Sequence, residues 1–210
     1  MIPAPIVYSK ESLDILDACK GTPLAPQDWS DAKFTDIKTE IKEYYKVIQN
    51  YTCPYCQQKI QIDHNMAWDI EHIIPRIMKP KFMFEPQNLC IACKDCNGPK
   101  SGKNVLKNSN RKTFPNKPKD YIIVHPHFHS YNDHIEILVP GLVYRPISDE
   151  GKNTAIACDL YRFYKFTNRK PVNNLSSTLA KKVAFADTVE EQEQAEIQFF
   201  ELLKLKHAQK

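Results

Sequence analysis

Two cysteine pairs of identical spacing, Cys53-x2-Cys56 and Cys93-x2-Cys96, constrain this chain more than anything else in it. Seven cysteines are present, an odd number, with Cys19, Cys90 and Cys158 left outside the pairs. That arithmetic fits metal ligation rather than a disulfide scaffold. Four thiolates supply a closed tetrahedral site, which zinc fills without keeping a position open for substrate. The implied role is structural. The metal ties the start of a hairpin to the start of a helix, and part of the folding free energy comes from binding it. A redox-active CxxC is the alternative, and two matched knuckles argue against it.

The opening, MIPAPIVYSKESLDILDAC, lacks the basic region and long apolar run of a secretory signal. No apolar stretch approaches the roughly 20 residues that cross a bilayer, so a cytoplasmic protein without a membrane partner is expected. At 210 residues, 42% of them hydrophobic, the chain has room for one large domain or a catalytic module with an appendage. The expected fold class is α+β. An N-terminal helical segment takes 1–50, a core with the zinc knuckles 51–120, and a mixed strand and helical accessory region 121–210.

Within the first segment a short helix lies around Ser12–Cys19. A clearer one follows, with Phe34, Ile37, Ile41, Tyr44 and Ile48 stepping by three or four and Ser30 or Asp31 as N-cap. MAWDIEHII reads as a strand and PRIMKPKFMFEPQN as an irregular connection. Gly98, Pro99 and Gly102 place the body of the next helix at Asn104–Asn108. DYIIVHPHF reads as a strand, and HIEILVPGLVYRPI as one or two more broken at Pro140-Gly141. The rest reads as helices over Asp159–Thr167, Leu175–Phe185 and Thr188–Lys206, the last opening on a capping box of Thr188 and Glu191.

The net charge of +4 is mild, but its distribution is uneven. Lys94, Lys100, Lys103, Lys107, Arg111, Lys112, Lys117 and Lys119 fall within one segment against the single acid Asp95. A polyanion is attracted to such a run, unless it is merely a solvated loop.

Chemistry-bearing residues sit between and beside the knuckles: Glu71-His72-Ile73-Ile74-Pro75, then Asn88-Leu89, then Cys96-Asn97-Gly98-Pro99-Lys100. Hydrolysis of a phosphodiester needs a nucleophilic water, charge compensation and help for the leaving oxygen. His72 can accept a proton near neutral pH. Oxygens of Glu71 and Asn97 suit a hard divalent cation such as Mg²⁺ or Mn²⁺. Lys100, Lys103 and, more weakly, Arg76 are candidates to touch the substrate backbone. Taken singly these residues have bland readings: a structural histidine, a turn asparagine, surface cations.

In this order the motifs resemble the HNH endonuclease family in its zinc-containing, ββα-metal branch, over about residues 51–104. The resemblance implies a strand presenting Glu71 and His72, a loop carrying Asn88, and a helix presenting Asn97. It makes His72 the general base, Glu71 and Asn97 the ligands of the catalytic ion, and Asn88 a brace that orients His72. The family usually has Asp where this chain has Glu71. Adjacent strand residues also point to opposite faces, so Glu71 and His72 share one site only if the strand twists or ends there.

A longer match, through FEPQNLCIACKDCNGPKSGKN, YIIVHPHF and GKNTAIACDLYRF, is similar to the HNH component of Septu-type and retron-associated ATPase–nuclease defence systems. It implies an anti-phage role beside an ABC-like ATPase, in some systems with a retron reverse transcriptase and its RNA–DNA product. DNA is the favoured substrate and tRNA an alternative. Aromatic residues Tyr161, Phe163, Tyr164 and Phe166, with Ile197, Phe199, Phe200, Leu202 and Leu203, either close the core or meet a partner. His125, His127, His129 and His134 are read as a polar rim near the substrate channel or a helper face for the nuclease, with a second metal site as the other reading. A non-catalytic zinc module binding nucleic acid or protein stands as the competing function.

Overall fold

A computed structural model of the chain describes residues 1–62, 65–139, 141–162, 182, 186 and 188–207, with backbone alone at 65, 200 and 202–207. Expectations for Phe163, Tyr164, Phe166, Phe200, Leu202, Leu203 and the 175–185 helix fall outside the described residues or side chains. The architecture is α+β. Small antiparallel sheets lie near the four-cysteine cluster, helices precede them, and the C-terminal part is mostly helical.

Helix α1 spans Lys10–Ala18 and α2 spans Thr35–Ile48. The α2 periodicity turns Ile37, Ile41 and Tyr45 into the core with Phe34 just ahead of them; Tyr45 takes the place expected for Tyr44. Its N-cap is Phe34, because Asp31 instead accepts from the Lys33 amide and caps the short 3-10 turn Ala32–Phe34.

Strands β1, Trp68–His72, and β2, Leu89–Cys93, form an antiparallel hairpin registered from Trp68 opposite Cys93 to His72 opposite Leu89. Every residue of β2 is buried. Its outer edge is closed by Gln49, whose amide donates 2.9 Å to the Ile91 carbonyl and accepts 2.8 Å from the Ile91 amide. One side chain at the end of α2 thus replaces a neighbouring strand and stops further pairing.

Helix α3 follows at once, Lys94–Lys100, a correction to the helix expected at Asn104–Asn108. Cys93 and Cys96 must reach one cluster, and a helical turn puts residues three apart on one face. Pro99 lies near the end of α3, where its missing N–H forfeits only a single intrahelical bond.

DYIIVHPHF is not a strand, apart from an isolated bridge at Tyr121. The Ile122 amide still reaches the Val105 carbonyl (2.9 Å), but three amides beyond it are taken by side chains instead of a partner strand. The Val124 N–H donates to Thr154 Oγ1 (2.8 Å), that of His125 to His129 Nδ1 (2.9 Å) and that of His127 to His125 Nδ1 (3.2 Å). A second hairpin, β3 Ile135–Val139 with β4 Val143–Pro146, turns through Gly141 at φ +73°.

Helix α4, Asp149–Ala157, is capped by Ser148 Oγ accepting from the Gly151 N–H at 3.0 Å. Helix α5, Val189–His207, opens with Thr188 Oγ1 accepting from the Glu191 N–H. It turns Phe199 inward, leaves Ile197 exposed, and is tied to the second hairpin by Arg145, 2.9 Å from Glu196. One core runs from Ile2 to Phe199. No helix among the described residues is long and apolar enough to cross a membrane.

Candidate metal centre and active-site cleft

Cys53 and Cys56 come from the first knuckle, Cys93 from the end of β2 and Cys96 from the first turn of α3. Their four buried sulfurs all lie within 4.8 Å of one another. Cys56 and Cys93 Sγ are 3.8 Å apart, which matches the edge of about 3.8 Å for sulfurs placed ~2.3 Å from a tetrahedral zinc ion. The donor set therefore fits zinc. The knuckle is braced from outside: Tyr131 donates to the Tyr55 carbonyl (2.9 Å) and Tyr144 to the Cys56 carbonyl (2.7 Å). Arg162 Nη2 donates 3.2 Å to Cys96 Sγ, setting a cation against the thiolate cluster.

A cleft of about 380 Å³ opens at the end of β1, lined by Trp29, Ile70, Glu71, His72, Pro75, Arg76, Ile77, Asn97, Gly98, Ser101 and Gly102. The strand ends at His72, so neighbours of opposite orientation both reach the cleft. Glu71 faces α3, where its Oε1 accepts from Tyr55 Oη (2.9 Å) and pairs with Lys100 Nζ (2.5 Å). Both contacts fall on Oε1, which leaves Oε2 for a further partner. Burial raises the Glu71 pKa, and the Lys100 and Tyr55 contacts oppose that rise.

His72 stands against Trp29, ring centroids 4.5 Å apart and nearly perpendicular. Burial, reinforced by the charges of Arg76 and Lys100, holds its pKa down at about 3, against a smaller opposing pull from the Met83 backbone. Nε2 is buried and has no hydrogen-bond partner. The ring is thus neutral at ordinary pH with one nitrogen able to accept.

Asn88 is fully buried. Its Oδ1 accepts from the Ile74 amide (2.7 Å), and its Nδ2 donates to the Phe82 and Ile74 carbonyls (2.9 and 3.2 Å). Its backbone carbonyl accepts from the Ile73 amide (2.9 Å). Asn88 therefore fixes the chain immediately after His72. Asn97 donates Nδ2 to Asp69 Oδ2 at 3.0 Å, which orients its carbonyl oxygen away from that contact. Asp69 was not singled out in the sequence, although it stands two residues before Glu71, on the same strand face.

Lys100 requires a correction. It was expected to meet substrate, but it is 0% exposed, held by Glu71 and by the His72 carbonyl at 3.2 Å. The short helix α3 aims it back under β1. Lys103 is exposed, donates to the Ala157 carbonyl at the end of α4 (3.1 Å) and does not line the cleft. Arg76 lines the cleft. The basic run is also partly consumed: Lys94 pairs with Asp69, Lys107 with Glu150 and Arg111 with Asp120.

The histidine group requires another. His125, His127 and His129 are buried, not a rim. His127 Nε2 is 2.8 Å from the Leu89 carbonyl, and His125 stacks on Phe128 with centroids 4.2 Å apart. His134 Nδ1 is 2.7 Å from Ser148 Oγ. Among the described residues the four cysteines are the only cluster of three or more His, Cys, Asp or Glu ligands close enough to hold a metal.

Residues 53–103 match the family model described as HNH endonuclease, which covers both knuckles, the β1–β2 hairpin and α3. A Vibrio cholerae (serotype O1 biovar El Tor) protein named as an HNH endonuclease of retron Vc95 is 26% identical over 147 residues, 68% of this chain and 65% of the relative. The chain thus spans just under two thirds of that relative's length. No solved structure matches.

Proposed function

We propose that this protein is a metal-dependent HNH endonuclease that hydrolyses phosphodiester bonds, with DNA as its substrate. The observation that carries the reading is His72: its Nε2 is buried without a partner, and the residue lines a cleft together with Glu71 and Asn97. A buried acceptor without a donor is costly, and His127 Nδ1 is another; what sets His72 apart is its place on the cleft, where a water or substrate can complete it.

In this mechanism His72 Nε2 takes a proton from water as the water oxygen bonds to phosphorus, and the bond from phosphorus to the leaving sugar oxygen breaks. Trp29 packs against the ring and sets its orientation, and Asn88 fixes the backbone beyond it. Glu71 Oε2 and Asn97 Oδ1 are the oxygens that would hold Mg²⁺ or Mn²⁺, with Asp69 orienting the asparagine. When bound, such an ion supplies charge neutralisation at the phosphate and the leaving oxygen. Lys100 keeps the Glu71 carboxylate ionised in its buried place, and Arg76 is the cation positioned to meet a phosphate. Zinc at Cys53, Cys56, Cys93 and Cys96 is structural.

The similarity to a retron-named relative and the motif resemblance support a place in an anti-phage complex in the cytoplasm. Its partner there would be an ABC-like ATPase, with a retron reverse transcriptase and its RNA–DNA product a further component. They also make tRNA the second substrate to test. The Lys100–Glu71 pair favours one competing reading, because an acid already paired with an ammonium suits a non-catalytic zinc module.

The test is Mg²⁺- or Mn²⁺-dependent cleavage of plasmid DNA and of total tRNA by wild type and His72→Ala, with and without a co-encoded ATPase. Loss of DNA cutting in the variant is expected. Selective loss of tRNA cutting would keep the mechanism and change the substrate. Zinc-loaded protein with no His72-dependent cleavage in any arm would leave the binding module.

A further inference from the structure

A second cleft, about 460 Å³, lies beside the first and is lined by Trp29, Thr35, Lys38, Thr39, Lys42, Asp69, Ile70, Arg76 and Asn97. Trp29, Ile70, Arg76 and Asn97 line both, so the two form one trough leading to His72. One wall belongs to α2, which lies outside the segment matched by the family. Lys38 and Lys42 are one helical turn apart, and both reach the trough. Lys38 Nζ donates to the Trp29 carbonyl (3.2 Å) and sits 5.8 Å from the centre of the Trp29 ring. Neither contact neutralises its charge.

The basic run after Cys93 is the obvious rival. Lys100 is sealed, Lys94, Lys107 and Arg111 are paired with acids, and Lys103, though exposed, lines neither cleft. Lys112, Lys117 and Lys119 are exposed but line neither cleft. The charge that is conspicuous in the sequence is therefore not the charge at the trough.

We infer that the nucleic-acid backbone runs along this trough, its phosphates on Lys38, Lys42 and Arg76 and a sugar or base against Trp29, so that the N-terminal region and not the basic run seats the substrate. This rests on the nuclease reading for what happens at His72. The seating itself is a separate claim. Lys38 and Lys42 act as point charges on phosphate, and a cationic groove with an aromatic wall is how strands are held without reading sequence.

The experiment uses the full zinc-loaded chain in a His72→Ala background, titrated with a fluorescein-labelled oligonucleotide, single-stranded and duplex, over a range of KCl concentrations. Removing two phosphate contacts in a Lys38→Gln, Lys42→Gln double variant should flatten the slope of log K against log[salt]. The expected change is about 1.4 on a single strand and about 1.8 on a duplex. Lys112→Gln with Lys119→Gln should leave the slope unchanged. Trp68 is fully buried, so quenching of tryptophan emission on binding should come from Trp29 and vanish in Trp29→Phe.

An unchanged slope in the Lys38, Lys42 variant, or a slope lost instead in the Lys112, Lys119 variant, overturns the inference. The cleavage arm separates the two claims. His72-dependent cutting whose KM ignores Lys38 and Lys42 sinks the trough and keeps the nuclease. Slopes that fall as expected without any His72-dependent cutting sink the nuclease and keep the trough.

Discussion

Replacing Lys100 by methionine keeps the apolar stem and deletes the ammonium, leaving the Glu71 carboxylate buried beside nothing cationic. The partners are 2.5 Å apart with side chains 0% and 4% exposed. At an effective dielectric of about 20, a pair at that distance attracts by about 7 kcal/mol. The desolvation of both ions offsets much of this, so the net worth of the pair is small. Removing one partner is another matter, because the remaining charge stays uncompensated, at a cost of about 3–5 kcal/mol. The hydrogen bond to the His72 carbonyl is lost as well. Urea unfolding of zinc-loaded Lys100→Met should register that loss. Its melting temperature should fall by about 6–20 °C, at about 2–4 °C per kcal/mol for a chain of this size. Adding Glu71→Gln removes the stranded charge and keeps an acceptor for Tyr55, and should recover most of the stability. Double-mutant coupling of that sign is the signature of a buried pair. If Lys100→Met costs under about 1 kcal/mol and instead weakens oligonucleotide binding, Lys100 reaches solvent and the reasoning about the cleft is wrong.

Three further outcomes are expected. Arg162→Met removes the donor to Cys96 Sγ and should weaken zinc retention by about 10–100-fold, as loss of a ligand's supporting hydrogen bond does; equal rates of zinc transfer to a chromogenic chelator would refute it. Gly151→Ala looks favourable by helix propensity, yet the added Cβ would lie 1.9 Å from the His134 carbonyl oxygen. It should destabilise by about 1–3 kcal/mol or more, and an unchanged urea midpoint would show that α4 can move away. Burial, with His127 and His129 nearby, holds the His125 pKa well below its usual 6.5. The unfolded chain therefore takes up a proton that the folded one refuses as pH falls through about 6.5, and stability is lost in that direction. Between pH 7 and 5 His125 alone should remove about 2 kcal/mol. His125→Asn, which keeps an acceptor for the His127 amide, should show a shallower decline, and parallel curves would reject the assignment.

The parts of the fold visible in the sequence are those fixed by a local rule. The cysteine spacing announces a cluster, the step of Ile37 and Ile41 announces α2, and Thr188 announces the start of α5. The misread parts are those where a side chain replaces a backbone partner. DYIIVHPHF has strand composition, but imidazoles and Thr154 capture the Val124, His125 and His127 amides that a strand would have paired. Gly98 and Pro99 suggest an interrupted helix, but the demand that Cys93 and Cys96 meet one cluster outweighs them. Lys100 looks like the surface lysine its neighbours suggest, and only the short reach of α3 under β1 shows that it serves Glu71. Trp29, Lys38 and Lys42 carry no local signal at all, since nothing in the first 50 residues says which loop of the core they will face.

The cluster and the cleft are joined by sequence neighbours, which bears on what zinc does. Tyr55 lies between Cys53 and Cys56 and donates to Glu71; Asn97 follows Cys96 and faces Asp69. Each ligand pair is therefore one residue from a side chain that lines the cleft, Asn97, or that holds one lining it, Tyr55 on Glu71. A structural ion at the cluster fixes the separation of the knuckle from α3, and with it the separation of the acid from the amide across the trough. Productive geometry for hydrolysis tolerates errors of only about 0.5 Å, so partial loosening of the cluster should disturb the cleft before it unfolds the chain. On the nuclease reading, a closed tetrahedral zinc site would be structural in its chemistry and yet part of the geometry of the cleft.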